Sequence, residues 1–136
     1  MSTDLALTHV SLLVDDQDKA LEFYRDVIGL EVRQDMAFPG GRWLTVGPAA
    51  QPTIEFIIEN PAMNPTPEAA AAAAARLASG AQGTLIFRVE DVTALFNQLQ
   101  EAGVRVDQPL IDQPYGMRDC GFLDPWGNHL RFSQVL

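Results

Sequence analysis

The chain has 136 residues, of which 47% are hydrophobic and 20% charged, values close to those of globular domains. This length suffices for one domain that buries about two-thirds of its unfolded surface. The formal net charge of −9 argues against a nucleic-acid partner, because the sequence contains no basic patch to neutralise phosphates.

The single cysteine, Cys120, excludes an internal disulfide and fits a reducing cytoplasm. We expect Cys120 to be a small strand residue and not a nucleophile, since no histidine or basic cluster adjoins it to lower its pKa. The apolar stretch at 5–14 is too short to span a bilayer, and it lacks the basic flank of a signal peptide. We therefore expect a cytoplasmic protein without a membrane partner.

The first elements in chain order are an apolar strand that ends at Val14 and a helix over about 17–28. Asp16 stands where the helix N-cap belongs, and Gly29 stands where the helix should stop. Turn residues then separate three predicted strands, at roughly 31–38, 42–47 and 53–59. The next segment, 66–80, begins with Thr66-Pro67-Glu68 and predicts a helical connector, to which we assign no chemistry.

The rest of the chain repeats this order. Residues 87–91 match residues 12–16 at an offset of 75, and Asp91 takes the N-cap position of a second helix, Val92 to Ala102, which stops at Gly103. Three further strands are predicted at roughly 105–112, 116–123 and 128–135. The sequence therefore predicts an α+β fold of tandem βαβββ repeats, forming a curved eight-stranded sheet around a cavity with the helices outside. We expect a single domain, 1–136, made of repeat one (4–60), a helical connector (61–81) and repeat two (82–136).

Alternation along the strands assigns the two faces of each sheet. One row in each strand is continuously apolar and should pack on the helices. The opposite rows carry polar and aromatic side chains: His9, Ser11, Trp43, Thr45, Glu55, Thr84, His129 and Arg131. We expect the two concave faces to enclose one pocket for a small molecule, because such sites combine apolar walls with a few polar groups.

Several short segments together carry a family resemblance: 8–16, 20–24, 28–32, 87–91 and 122–128. In this order they make the chain resemble the vicinal-oxygen-chelate superfamily, which includes glyoxalase I, extradiol dioxygenases, fosfomycin-resistance enzymes and bleomycin-resistance proteins. The segment 114–128 is most similar to uncharacterised bacterial glyoxalase-related members. The resemblance also implies a homodimer, which exposed strand edges would permit.

Metal-using members of that superfamily place ligands on the first, fourth, fifth and eighth strands. The resemblance carries these positions to His9, Glu55, Thr84 and Arg131. An imidazole and a carboxylate suit Zn, Ni, Mn or Fe, whereas a threonine hydroxyl is a poor ligand and an arginine brings a fixed positive charge. The implied metal set, His9 and Glu55, is therefore incomplete, with His129 as a candidate substitute.

Arg131 has two other candidate roles, an ion pair with Glu55 or the binding of a ligand carboxylate. His9 is then a hydrogen-bonding group, a proton carrier or simply a satisfied strand histidine. Trp43 and Tyr115 are candidates for stacking on an aromatic ligand, although core aromatics are commoner at such positions.

Three functions compete. The preferred one is a metal-independent protein that binds a small organic molecule, as bleomycin-resistance members do, with its ligand-binding residues among His9, Ser11, Trp43, Thr84, Tyr115, His129 and Arg131. The second is a metal-dependent lyase, isomerase or dioxygenase of the glyoxalase type, with His9 and Glu55 as ligands and Glu55 as the candidate catalytic base. The third is an interaction domain with a vestigial cavity.

Overall fold

The computed structural model describes residues 3–80 and 83–136, and the βαβββ order occurs twice in it. The first repeat consists of β1 (His9–Leu13), α1 (Gln17–Leu21) continuing as a π-helical segment (Glu22–Val27), β2 (Glu31–Phe38), β3 (Gly41–Gly47) and β4 (Glu55–Glu59). A 3-10 turn (Pro61–Met63) and α2 (Pro67–Ser79) follow. The second repeat consists of β5 (Thr84–Arg88), α3 (Val92–Glu101), β6 (Arg105–Asp112), β7 (Met117–Leu123) and β8 (His129–Val135). The predicted α+β class and the tandem repeat are confirmed.

The strands form two four-stranded sheets, with the orders β1-β4-β3-β2 and β5-β8-β7-β6. In each sheet the first pair is parallel and the other two pairs are antiparallel. The chain divides into two compact units between Ala73 and Ala74, one around each sheet. The predicted boundary between connector and second repeat falls at residues 81 and 82, which lie outside the described residues, so the domain boundaries stay a prediction.

The predicted helix ends are confirmed at both caps. The carboxylate of Asp16 accepts a hydrogen bond from the Lys19 amide at 3.1 Å, and that of Asp91 accepts one from the Ala94 amide at 3.0 Å. Each cap satisfies an amide that has no partner inside its helix. Gly29 has a φ of 89°, which a residue with a side chain adopts only with strain.

The helix predicted over 17–28 is confirmed in its extent, and its second half is wound more widely than an α-helix. From Glu22 onward it is a π-helix, in which the Ile28 amide donates to the Phe23 carbonyl, five residues back, at 2.9 Å. Phe23 and Tyr24 follow each other directly, and both are buried. The wider π-turn places these two consecutive aromatic side chains on the core side.

The loop before β4 explains why that strand starts at Glu55 and not at Thr53. The guanidinium of Arg33 donates to three carbonyls of the loop, those of Pro48 at 2.6 Å, Gln51 at 3.2 Å and Pro52 at 3.1 Å. These carbonyls are therefore not available to a sheet ladder. The loop is therefore held by a residue of β2, and β4 begins after the loop, at Glu55.

The turn between β7 and β8 is held by one buried carboxylate. Asp124 accepts hydrogen bonds from the amides of Trp126 at 2.9 Å and Asn128 at 2.7 Å, and from the Asn128 side chain at 2.7 Å. Gly127 completes the turn with a φ of 90°. In the described ranges, no helix is long and apolar enough to cross a membrane.

Candidate functional site

On the open face of the first sheet, His9 and Glu55 face each other from neighbouring strands. They are register partners on the parallel strands β1 and β4, and Nε2 of His9 lies 3.6 Å from Oε2 of Glu55. The hydroxyl of buried Thr45 donates to Oε1 of Glu55 at 2.6 Å, and Nδ1 of His9 lies 2.8 Å from the Thr8 hydroxyl. The side chains of His9 and Glu55 are 35% and 22% exposed, so a ligand can reach both.

Trp43 lies beside this pair. Its ring centre is 6.0 Å from that of His9, at an interplanar angle of 53°, and its indole N–H donates to the side-chain oxygen of Gln34. Ser11, two residues after His9 on β1, is exposed. The structure thus brings together His9, Glu55 and Trp43 as predicted, with Ser11 on the same face.

On the second sheet, the corresponding strands present different chemistry. Thr84 of β5 is the register partner of His129, and Ile86 is the partner of Arg131. Nδ1 of His129 lies 3.0 Å from Oδ2 of Asp107. Both partners of this pair are partly exposed, so the open face of the second sheet also has an imidazole beside a carboxylate.

Arg131 contacts a different carboxylate from the one predicted. Its Nη2 lies 3.3 Å from Oδ2 of Asp119, a buried residue of β7. Oδ1 of Asp119 accepts hydrogen bonds from the side chains of Gln108 at 2.7 Å and Gln113 at 3.1 Å. Burial would raise the pKa of the Asp119 carboxyl, but the two glutamine hydrogen bonds and the charge of Arg131 outweigh it and hold the pKa below its ordinary value.

The register shows which positions of the two repeats correspond. His9 pairs with Glu55 in the first repeat as Thr84 pairs with His129 in the second. His129, and not Arg131, is therefore the counterpart of Glu55, and the counterpart of Arg131 is Ile57.

The sequence reasoning missed Asp107, Gln108 and Asp119. A usable signal for Asp119 was present in the tight turn at 124–127. That turn fixes the β7–β8 register, which pairs Asp119 with Ser133 and Gly121 with Arg131. Asp119 then stands diagonal to an arginine on the same face, where an ion pair between the two side chains is possible.

The remaining predicted residues lie apart from these pairs. Tyr115 lies in the turn that joins β6 to β7, where 68% of its surface is exposed. Cys120 is fully buried in β7, and burial raises the pKa of its thiol to about 11. The prediction that Cys120 is a strand residue is confirmed by its place in β7. A thiol with this raised pKa is protonated at neutral pH.

Residues 6–132 match the family model of the Glyoxalase/Bleomycin resistance protein/Dioxygenase superfamily. The chain belongs to this superfamily. Among curated proteins, it is 35% identical over 95 residues to the uncharacterised protein YurT of Bacillus subtilis (strain 168), covering 69% of this chain and 72% of YurT.

Solved structures of superfamily type are similar over nearly the full length. UcmS2 is 33% identical with a TM-score of 0.81, covering 96% of this chain and 98% of that chain. TnmS3, described as an antibiotic binding protein from Streptomyces sp. CB03234, is 30% identical with a TM-score of 0.76, covering 99% and 100%. The predicted α+β fold of tandem βαβββ repeats is therefore shared with these solved structures.

The superfamily commonly uses a divalent metal, and such an ion needs several donor side chains close together. His9 and Glu55 supply two donors, and the counterpart pair supplies a threonine hydroxyl and one imidazole. Within residues 3–80 and 83–136, no group of three or more His, Cys, Asp or Glu side chains could hold a metal ion. A catalytic ion usually takes three protein ligands and an open position, and the described donor set does not fit that requirement.

Proposed function

We propose that this protein binds a small organic molecule of the antibiotic type and releases it chemically unchanged. The observation that carries the proposal is the full-length similarity to TnmS3, an antibiotic binding protein, at 30% identity and a TM-score of 0.76. The ligand-binding residues proposed for this role are those of the two open sheet faces, His9, Ser11, Trp43, Thr84, His129 and Arg131, together with Tyr115 of the β6–β7 turn.

The chemistry of the first open face supports this role. The indole of Trp43 offers an aromatic surface beside an imidazole, while Glu55 is held by Thr45 and does not turn freely. Such a face combines stacking with a few fixed hydrogen-bonding groups, which suits a partly aromatic ligand.

The test is a binding panel of bleomycin A2, daunorubicin and rifampicin, measured by isothermal titration calorimetry. We expect at least one compound to bind with a Kd below about 10 μM, and mass spectrometry to recover it unaltered after incubation. Trp43→Phe should weaken binding about tenfold, whereas the matched removal of the buried indole, Trp126→Phe, should not. Failure of every compound to bind, or its conversion to a product, would refute the proposal.

A metal-dependent lyase, isomerase or dioxygenase is the second candidate, and the facing His9–Glu55 pair is the observation that favours it. It predicts about one equivalent of Zn, Ni, Mn or Fe per chain after supplementation, measured by elemental analysis. That metal should be lost in His9→Ala and in Glu55→Gln but retained in His129→Ala. Stoichiometric metal with this pattern would replace the first proposal by the second, with Glu55 as the candidate base.

We further propose a homodimer in the cytoplasm. Met36 and Phe38 lie exposed on the edge strand β2, and apolar side chains on a strand edge are typical of surfaces that a second chain covers. Sedimentation velocity of the wild type and of Met36→Lys tests this oligomeric state. A monomeric wild type would contradict it.

A further inference from the structure

The guanidinium of Arg131 is held from behind by a buried acid. Asp119 is 3% exposed, and its two carboxylate oxygens face different groups, since Oδ1 accepts from Gln108 and Gln113 while Oδ2 faces Nη2 of Arg131. The two glutamines fix the plane of the carboxylate. The carboxylate in turn fixes the side of the guanidinium that it contacts.

The outer side of the guanidinium remains available. Within residues 3–80 and 83–136, Arg131 forms an ion pair with Asp119, in which Nη2 lies 3.3 Å from Oδ2. The Arg131 side chain is 33% exposed, so its other N–H groups can reach solvent or a ligand. An arginine fork with one side fixed and the other open is preorganised for a planar anion, because little side-chain entropy remains to be lost on binding.

The neighbours of Arg131 along the sheet leave room for an apolar group. On β5 its register partner is Ile86, which is 69% exposed. On β7 its partner is Gly121, which has no side chain to cover the guanidinium. A positive fork therefore lies beside an uncovered apolar side chain on one face of one sheet.

We propose that Arg131 binds the anionic group of an amphipathic organic acid, a carboxylate carried on an apolar ring system that packs against Ile86. This inference rests on the proposed function and names the chemical class of its ligand. Non-specific attraction does not account for such binding, because the net charge of −9 repels anions from the protein as a whole. The local carboxylates are also engaged, Asp119 by Arg131 and the glutamines, and Asp107 by His129.

The experiment compares 2-naphthoate with its neutral isostere 2-naphthamide. Titration of the wild type, followed by the side-chain Nε–H signals of arginine in heteronuclear NMR, should show naphthoate binding at least about tenfold more tightly than naphthamide. The shifted signal should be the one that disappears in Arg131→Gln. In Arg131→Gln the preference for naphthoate should fall to within about twofold.

Two further variants separate the anchored fork from a general charge effect. Arg88→Gln removes the same charge from an exposed position on β5 and should keep the preference. Asp119→Asn leaves the charge of Arg131 but releases its anchor, and we expect a threefold to tenfold loss of naphthoate affinity, on the order of one lost hydrogen bond. Thermal melting of each variant verifies its folding.

Equal affinity for the acid and the amide, no naphthoate binding at about 10 mM, or equal losses in the Arg131 and Arg88 variants would overturn the inference. Equal affinity of the wild type for naphthoate and naphthamide refutes the inference even if a variant fails to fold. Failure of the proposed function can be distinguished from failure of this inference. If a panel compound binds while the wild type shows no preference for naphthoate over naphthamide, the proposed function stands and this inference fails. If no panel compound binds while naphthoate binds through Arg131, the anion site stands and the antibiotic proposal fails.

Discussion

Gly47, at the end of β3, is the position where the smallest substitution should have a large effect. A Cβ added there would lie 2.7 Å from the Ile54 carbonyl oxygen and 2.9 Å from Nη2 of Arg33. Real Cβ contacts of that length are essentially unknown, so one of these groups must move. The carbonyl belongs to the loop at 48–54, which Arg33 holds through its hydrogen bonds to three carbonyls. Removing this clash therefore requires the loop and the Arg33 side chain to move apart.

The expected cost of Gly47→Ala is about 2–5 kcal/mol in the free energy of unfolding. Overpacking of a well-packed site costs about 1–3 kcal/mol, and a lost hydrogen bond to a charged group adds about 1.5–3 kcal/mol. The lower entropy of alanine in the unfolded chain returns about 0.4–1 kcal/mol. Gly41→Ala, on the same strand, is the matched control, because its Cβ would lie 2.6 Å from the Phe38 ring, which is 47% exposed and can rotate away. It should change stability by less than about 0.5 kcal/mol.

Urea unfolding followed by Trp43 fluorescence measures both variants, because Trp43 lies on the same strand as the two glycines. Equal destabilisation by the two substitutions would refute the reasoning, since the distances are nearly the same and only the mobility of the neighbour differs. The loop leads directly into Glu55, so Gly47→Ala should also weaken ligand binding at the first face, whereas Gly41→Ala should not.

Three further outcomes follow from buried groups. Asp124→Ala leaves the buried amides of its turn without an acceptor and should cost about 3 kcal/mol in urea unfolding, whereas Asp112→Ala, which removes an exposed ion pair, should cost less than about 1 kcal/mol. The pKa of Asp119 is lower in the folded protein than its ordinary value near 3.9, so the ionised carboxylate stabilises the fold above that pH, and this stabilisation is lost as the pH falls through the lowered pKa. Asp119→Asn should therefore flatten the dependence of the urea midpoint on pH between about 5 and about 3. An unchanged slope would contradict this. The Cys120 thiol, with its pKa raised to about 11, should react with Ellman's reagent at about pH 8 at least about a hundredfold more slowly in the folded protein than in urea, and equal rates would contradict its burial.

The sequence was sufficient to predict most of the fold because its signals are local. The spans of β2 and β6 agree with the prediction, since both are bounded by turn glycines or helix stops within the sequence itself. The caps Asp16 and Asp91 need only their own first turn to act. The π-helical turn could not be predicted in this way, because it depends on how Phe23 and Tyr24 pack in the core.

The site was predicted less well because alternation fixes the face of a strand and not its register. Residues two apart lie on the same face, so a shift of two residues leaves the whole hydrophobic pattern intact. His129 and Arg131 are such a pair, and only the hydrogen-bonded register shows which of them is the counterpart of Glu55. The partner of Arg131 was missed for a related reason, since Asp119 becomes its neighbour only through the β7–β8 ladder.

The duplicated frame therefore holds two different kinds of chemistry at corresponding strands. In the first repeat an imidazole faces a carboxylate. In the second repeat a hydroxyl faces an imidazole, and a guanidinium lies two residues further along, at Arg131. Substitutions at equivalent positions in the two repeats should accordingly differ in their effects. Changes at His9 should affect ligands that contact the imidazole–carboxylate pair, whereas changes at Arg131 should affect the affinity for anions.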